Sequence, residues 1–326
     1  MAYFLLSVSN RVNLELCIEY ALAGFTNSIN GLWAFVDIEE GDFVSFLYGA
    51  RVFNLYRVEK KEALKGADAI GPWPPVTFQM SGRTYYFPFR LYLKPVRSFT
   101  EPMVRPEFAY VAENLLLRGG YWKTHFQADQ TTLQAVSQMG DLYRKPVKSF
   151  VIENYVTFIP RITWKKALGL SPEVFPFREF LLQSLVRQYL SHKENLQRFL
   201  NLGGLKELHA EDFEVLGEKA LSAGYIDILI KDLLPVGYSR KIVVEVKLNR
   251  AQLKDVEQLE NYLEELGEEC LGGFLIARSF PKRVLQECQT LKIRCFTYSF
   301  EGFDSSKRYS FAELRKRFRL EPKEEG

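Results

Sequence analysis

The stretch KIVVEVKLNR, residues 241–250, decides how the rest of the chain is read. It has the β-branched, apolar composition of an interior strand, yet carries Glu245 and Lys247 two positions apart. Successive strand residues point to opposite faces, so Ile242, Val244 and Val246 share one face and Val243, Glu245 and Lys247 the other. Charged side chains are rarely buried unless they are paired or bind a metal. Upstream, YIDILIKD (225–232) is a second apolar strand with Asp227 in it. Its alternation groups Ile226, Ile228 and Ile230 on one face and Asp227 and Leu229 on the other. The connection LLPVGYSR (233–240) contains Pro235 and Gly237, which predicts a hairpin bringing Asp227 beside Glu245. Two carboxylates meeting there repel unless a cation lies between them. Mg²⁺ (or Mn²⁺) suits such a pair, taking one or two carboxylates and several waters. Lys247 would lie about 7 Å along the strand from Glu245, placed to orient an attacking water or to stabilise charge on a phosphate.

Around this hairpin the pattern is helix, strand, strand, helix, strand, helix, strand. FREFLLQSLVRQYLSHKENLQRFL (177–200) has helical periodicity and holds one long or two short helices. AQLKDVEQLENYLEELGEE (251–269) is a helix with an apolar line through Leu253, Val256, Leu259, Leu263 and Leu266. GGFLIARSF is a strand, KRVLQECQTL a helix and IRCFTYSF a last strand. The expectation is an α/β layer with a mixed sheet. Residues 1–100 read differently. YFLLSVSN is a strand, RVNLELCIEYALAG a helix that stops at Gly24, and EEGDFVSFLYG with RVFNLYRVEKK a hairpin. YYFPFRLYLKPV is a further strand and TTLQAVSQM a helix capped by QADQTT. Many strands with few helices suggest a small barrel. The Pro- and Gly-punctuated ALGLSPEVFP (167–176) marks the boundary, giving domains at 1–165 and 176–326 with a linker at 166–175.

The bulk composition bounds the function without naming it. The 326 residues are 47% hydrophobic and 25% charged, ordinary for a water-soluble chain of two domains. The net charge of +3 is too small to prove a nucleic-acid partner, although a local basic groove is compatible with it. Cys17, Cys270, Cys288 and Cys295 form no C-x-x-C pair, and the three histidines are His125, His192 and His209, which argues against a structural zinc site. Scattered thiols of this kind read as reduced and cytoplasmic. MAYFLLSVSN has no basic leader and reads as a first strand, and no apolar run approaches the roughly 20 residues needed to span a bilayer.

Asp227 followed by Glu245-Val246-Lys247 resembles the Asp…Glu-x-Lys signature of the PD-(D/E)XK nuclease superfamily. The longer run GYIDILIKD…KIVVEVKLNRAQLKDVEQLENYLEEL is similar to the catalytic half of the NucS-like endonucleases, over about residues 176–300. That resemblance implies Asp227 and Glu245 as metal ligands, Lys247 as the residue beside the water, Gln258 in the following helix as a further catalytic residue, and a glutamate on the domain's first helix. Glu179 is the position that matches, with Glu194 the weaker choice.

The first part resembles the EVE/YTH group of PUA-like domains, over about residues 1–140. The likeness rests on YFLLSVSN leading to a helix, on GLW, on EEGDFVSFLYG, on GPWPP before a strand ending LKPV, and on GGYWKTHFQADQTTLQ. It implies a PUA-like β-barrel that holds a flipped, modified base in an aromatic cage, where stacking contributes on the order of 1–3 kcal/mol per base. Phe25, Trp33 and Trp73 are the candidate cage residues, Ser9 and Asn10 the groups reading the base edge, and Arg118, Lys123 and His125 the phosphate contacts. Taken together, the two resemblances imply a modification-dependent DNA endonuclease that reads a methylated base, 6-methyladenine by analogy, in double-stranded DNA and works as a homodimer. The alternatives are a NucS-like nuclease for mismatched or unusually structured DNA, and a reader of modified nucleic acid with no catalysis.

Overall fold

The computed structural model describes residues 1–49, 51–66, 70–77, 82–99, 124–165, 173–221 and 224–323. The chain divides into two compact units. One comprises Met1–Ala128, Thr132–Arg161 and Lys166–Pro176, the other Asp129–Thr131, Ile162–Lys165 and Phe177–Gly326.

The first unit is built on one sheet. Its strands are β1 (Tyr3–Ser7), β2 (Leu22–Phe25), β3 (Phe43–Tyr48), β4 (Arg51–Ala63), β7 (Phe89–Ser98), β8 (His125–Ala128) and β9 (Asp141–Leu142). A separate two-stranded ribbon joins β5 (Val76–Thr77) to β6 (Thr84–Tyr85). The main path runs β2-β7-β4-β3-β1-β8, with β9 alongside β7. Its ends, β2 and β8, have no pairing with each other among the described residues, so the expected barrel does not close. Helix α1 (Arg11–Tyr20) starts where the Asn10 side chain accepts the Asn13 N–H at 2.7 Å, and it ends at Ala21 in the left-handed region. The expected stop at Gly24 therefore comes too late: Gly24 lies inside β2, where an added Cβ would meet the Trp73 ring at 2.5 Å. Helix α2 (Ile29–Asp37), capped by Ser28, was not apparent from its sequence because all but its first two residues are buried and no polar face marks its period. Tyr3, Leu5, Leu47, Val52 and Leu55 pack with Leu133 and Val136 of α3 (Gln130–Ser137) on one face of the sheet.

Two short strands follow, β10 (Arg161–Thr163) and β11 (Val174–Pro176). The second unit is a mixed sheet in the order β12 (Phe213–Leu221), β13 (Gly224–Asp232), β14 (Lys241–Arg250), β15 (Cys270–Ser279), β16 (Arg294–Phe300) and β17 (Phe318–Pro322). The β14–β15 and β15–β16 pairs are parallel and the other three antiparallel. The parallel connections are made by α6 (Leu253–Leu266) and α7 (Lys282–Thr290), each following its strand directly. The long periodic segment at 177–200 is two helices, α4 (Glu179–Ser191) and α5 (Lys193–Leu202), broken at His192 with extended backbone. Helix α8 (Phe311–Arg317) and the edge strands β12 and β17 complete the unit.

Of the apolar line on α6, Val256 and Leu259 are buried, while Leu253, Leu263 and Leu266 are partly buried against the same cluster. Val256, Leu259 and Tyr262 pack with Val243, Leu275 and Ala277 of the sheet and with Val284 and Cys288 of α7. Fully burying each such aliphatic side chain contributes about 1.5–3 kcal/mol. Ile226 joins Leu229 and Val243 in this cluster, although strict alternation would group it with Ile228. The β12–β13 register runs unshifted on either side of Glu218, which has φ +35° and stands opposite Asp227.

In the first unit, Gly24→Ala should lower the thermal midpoint through a destabilisation of about 1–3 kcal/mol, because the Trp73 ring has nowhere to retreat. Differential scanning calorimetry checks this, and an unchanged midpoint would show that the ring is free to move.

Candidate active site

The site forms where the β13–β14 ladder stops. Register pairing runs from Lys231↔Lys241 to Ile228↔Val244 and goes no further. Beyond it the Asp227 side chain takes over from the strand: its Oδ2 accepts the Val246 N–H at 2.8 Å. Its Oδ1 accepts from Gln183 Nε2 at 2.7 Å. Both oxygens are thus held, and Asp227 is 9% exposed. Glu245 is buried more completely, at 1%. One of its oxygens, Oε1, takes the Lys247 ammonium at 2.6 Å. The other, Oε2, is buried with no hydrogen-bond partner.

Helix α4 brings two more groups. Glu179 is its first residue, a position where the helix dipole favours a carboxylate. Its Oε2 accepts the Leu248 N–H at 2.8 Å, which ties the helix start to the end of β14. Gln183 lies four residues on, hence on the same face of the helix. Helix α6 supplies Asp255, 5% exposed, whose Oδ1 is 3.9 Å from Lys247 Nζ and whose Oδ2 accepts the Gln252 N–H at 2.8 Å as part of the helix capping box. One turn further, Gln258 Nε2 donates to Tyr262 Oη at 2.7 Å, and that hydroxyl donates to the Tyr225 carbonyl at 2.8 Å. Gly224 makes room for this contact, since a Cβ there would approach the hydroxyl to 2.6 Å. Gln258 therefore acts on the site through Tyr262 and the backbone just before Asp227.

The electrostatics are one-sided. Burial pushes the Asp227 carboxyl well above the ordinary carboxylate range, and the neighbouring Glu245 charge pushes it further. Burial raises Glu245 too, against the opposing pull of Lys247, while Asp255 and Glu179 add to the rise. For Lys247, burial works against the charge, but Glu245 and then Asp227 outweigh it, so its pKa is raised and the group stays an ammonium. Both members of the Glu245–Lys247 pair are raised, and the nearby carboxylates Asp255, Glu179 and Asp227 contribute to the rise. A second cation fits here. The unpartnered Oε2 of Glu245 and the adjacent Asp227 supply oxygen donors of the kind Mg²⁺ takes. Among the described residues, no group of three or more His, Cys, Asp or Glu side chains is arranged to hold an ion. The remaining positions would then fall to water, as Mg²⁺ tolerates.

The structure thus brings together Asp227, Glu245, Lys247 and Glu179. Glu194 lies on an exposed part of α5 and is no part of this cluster. Gln183, Asp255 and Tyr262 were missed. The i,i+4 spacing of Glu179 to Gln183 and the Q-x-x-D cap were available signals, but neither means anything until α4 and α6 are seen to flank β14.

The residues proposed for a base cage sit elsewhere, in the interior of the first unit. Phe25, Trp33 and Trp73 are 5%, 7% and 6% exposed. Trp33 packs on the His125 ring at 4.8 Å, and Trp73 lies between Phe87 and the Arg90 guanidinium. These rings lie against neighbours inside the first unit. His125 is also internal: it is 3% exposed and 2.9 Å from Asp37, so it meets a carboxylate and not a phosphate. Asn10 is committed to capping α1, while Ser9 is exposed beside it. Arg118 and Lys123 lie outside the described residues.

Comparison with known proteins agrees with the geometry of the second unit. Residues 205–299 match the family described as the Endonuclease NucS C-terminal domain. That stretch includes Asp227, Glu245, Lys247 and Gln258, and the match supports a NucS-like nuclease. No curated protein matches the chain. Among solved structures, an EndoMS–dsDNA complex is similar at 25% identity, over 31% of this chain and 42% of that one, with a TM-score of 0.22. A repair endonuclease from Pyrococcus abyssi is similar at 22% identity, over 31% and 44%, with a TM-score of 0.22. The chain spans less than half the length of either, and at these TM-scores the likeness carries no argument about architecture. No described helix is long and apolar enough to cross a membrane.

Gln183→Ala should weaken Mg²⁺ binding about 10–100-fold, the usual cost of removing a group that orients a ligand. The measurement is the rise in thermal midpoint across a Mg²⁺ titration of wild type and variant. A curve identical to wild type would mean that Asp227 needs no help from α4.

Proposed function

We propose that the chain is a metal-dependent DNA endonuclease of the NucS type, with its chemistry in the second unit. The observation that carries this is the buried, unpartnered Oε2 of Glu245 beside Asp227 and the Lys247 ammonium. The match of residues 205–299 to a nuclease domain supports it. Asp227 and Glu245 would hold the metal, which when bound supplies Lewis-acid stabilisation and an acidified water. Asp227 is kept in a single orientation by Val246 N–H and Gln183, so little reorganisation is needed on binding.

Lys247 cannot serve as a base, because its neighbours keep it protonated. Its role is electrostatic: it donates toward the negative charge that develops on the phosphoryl oxygens during in-line attack, or holds the water for that attack. Glu179 keeps the end of β14 in register with α4, and so fixes where Lys247 stands.

The chemistry of this site requires a phosphodiester and does not by itself choose the substrate's structure. Action on mismatched or unusually structured DNA is favoured over reading of a methylated base, because the aromatic residues named for a cage are packed inside the first unit. Homodimeric action on both strands is part of the proposal, since one site cuts one strand.

Purified protein with Mg²⁺ is expected to cut mismatched or branched DNA, and to cut methylated and unmethylated plasmids equally. Asp227→Ala or Lys247→Ala should lower kcat on the order of 10²–10³-fold, with KM little changed. Wild-type cleavage by Asp227→Ala would sink the assignment of the site. Cutting confined to the methylated plasmid would instead give the first unit a base-reading role.

A further inference from the structure

The two parallel pairs of the second unit end together. Lys247 aligns with Ala277, and Arg250 with Ser279, so the carboxyl ends of β14 and β15 form one edge. The helices that follow begin at that edge, α6 at Leu253 and α7 at Lys282. Five exposed cations gather there: Arg250, Lys254, Arg278, Lys282 and Arg283. Arg250 is three residues beyond Lys247, about 10 Å along the strand, and adjacent strands are about 4.8 Å apart. By that spacing the backbone positions of Arg250 and Arg278 lie within about 10 Å of Lys247, and the other three cations follow at the starts of α6 and α7.

Three features make this more than ordinary surface charge. First, among the described residues the ion pairs of the unit engage Lys231, Arg240, Lys241, Lys247 and Arg319, and none of the five. Second, Lys282 and Arg283 occupy the first turn of α7, which has no acidic residue there and no side-chain cap. The helix dipole disfavours cations at that end, so the placement is unfavourable unless an anion covers it. Third, the carboxyl edge of parallel strands is where open α/β sheets take their ligands.

We propose that Arg250, Lys254, Arg278, Lys282 and Arg283 form the track that binds the phosphate backbone of duplex DNA and delivers one phosphodiester to Lys247. This deepens the proposed function and rests on it. The five contacts position the duplex and are independent of base sequence. They leave the metal ligands untouched, since none of them bonds Asp227 or Glu245.

The test measures affinity of the full chain for a labelled 30-base-pair DNA duplex in EDTA, across a range of NaCl concentrations. Each phosphate contact removed flattens the plot of log K against log salt by about 0.9. Arg278→Ala with Arg283→Ala should flatten the slope by about 2 and weaken binding at least tenfold near 0.1 M salt. Arg198→Ala with Lys206→Ala, which removes two exposed cations from α5 and the loop after it, should bind as wild type does. An unchanged Mg²⁺-dependent rise in thermal midpoint verifies that the first double variant is folded with its site intact. Wild-type slope and affinity in that folded variant would overturn the track while leaving the nuclease reading in place. Failure of the wild-type protein to bind duplex DNA would overturn both. Tighter binding of an RNA duplex than of the DNA duplex would overturn the assignment to DNA.

Discussion

The second unit is organised around two carboxylates forced into its interior. Asp227 and Glu245 stand where β13 and β14 part, each under a tenth exposed, with one lysine to answer them. Such a cluster is costly on its own, since buried like charges raise each other's pKa and resist ionisation. In both groups the folded state holds a proton more firmly than the unfolded chain. Their stabilising contribution is thus present below the ordinary carboxylate range and is lost as pH rises through the raised values. Under the proposed function, a cation held between the two carboxylates would relieve this repulsion.

The surrounding fold exists in a form that can carry this cost. Val244 and Val246 are fully buried on one face of β14, and Val243, Leu275 and the apolar line of α6 fill the other. The helices are then free to aim polar residues at the sheet's end. Glu179 and Gln183 come from α4, and Asp255 from the capping box of α6. The Gln258–Tyr262–Tyr225 chain pins the strand just before Asp227. Each group that touches the carboxylates is on a regular element, which keeps the geometry within the narrow tolerance that catalysis demands.

The first unit shows how aromatic residues mislead. Trp33 follows a glycine at Gly31 and Trp73 stands between Pro72 and Pro74, and the resemblance to a base-reading domain named both as cage residues. Yet α2 is buried almost all round, and Gly24 exists to let the Trp73 ring lie against β2. A buried helix with no polar face has no readable period, and a glycine that admits a ring looks in sequence like a glycine that stops a helix. The strands β2 and β17, four and five residues long, were likewise missed, since a short strand is defined by its pairing partner and not by its own composition.

What the sequence determined by itself was local and periodic. The two-residue alternation in KIVVEVKLNR, the apolar line of α6 and the turn residues between β13 and β14 establish the hairpin and the mixed layer around it. They also place Asp227, Glu245 and Lys247 as a set. Only the tertiary structure decided which side chains hold that set in place. Gln183 lies 44 residues from Asp227, and Glu179 lies 69 from Leu248. Their contacts arise from packing one helix, α4, against the sheet, a long-range outcome that no window of sequence encodes. In the first unit, packing of the same long-range kind put His125 against Asp37 and buried Trp33 and Trp73. Burial is a property of the whole fold, and it separated the residues that can meet a ligand from those that only resemble ones that do.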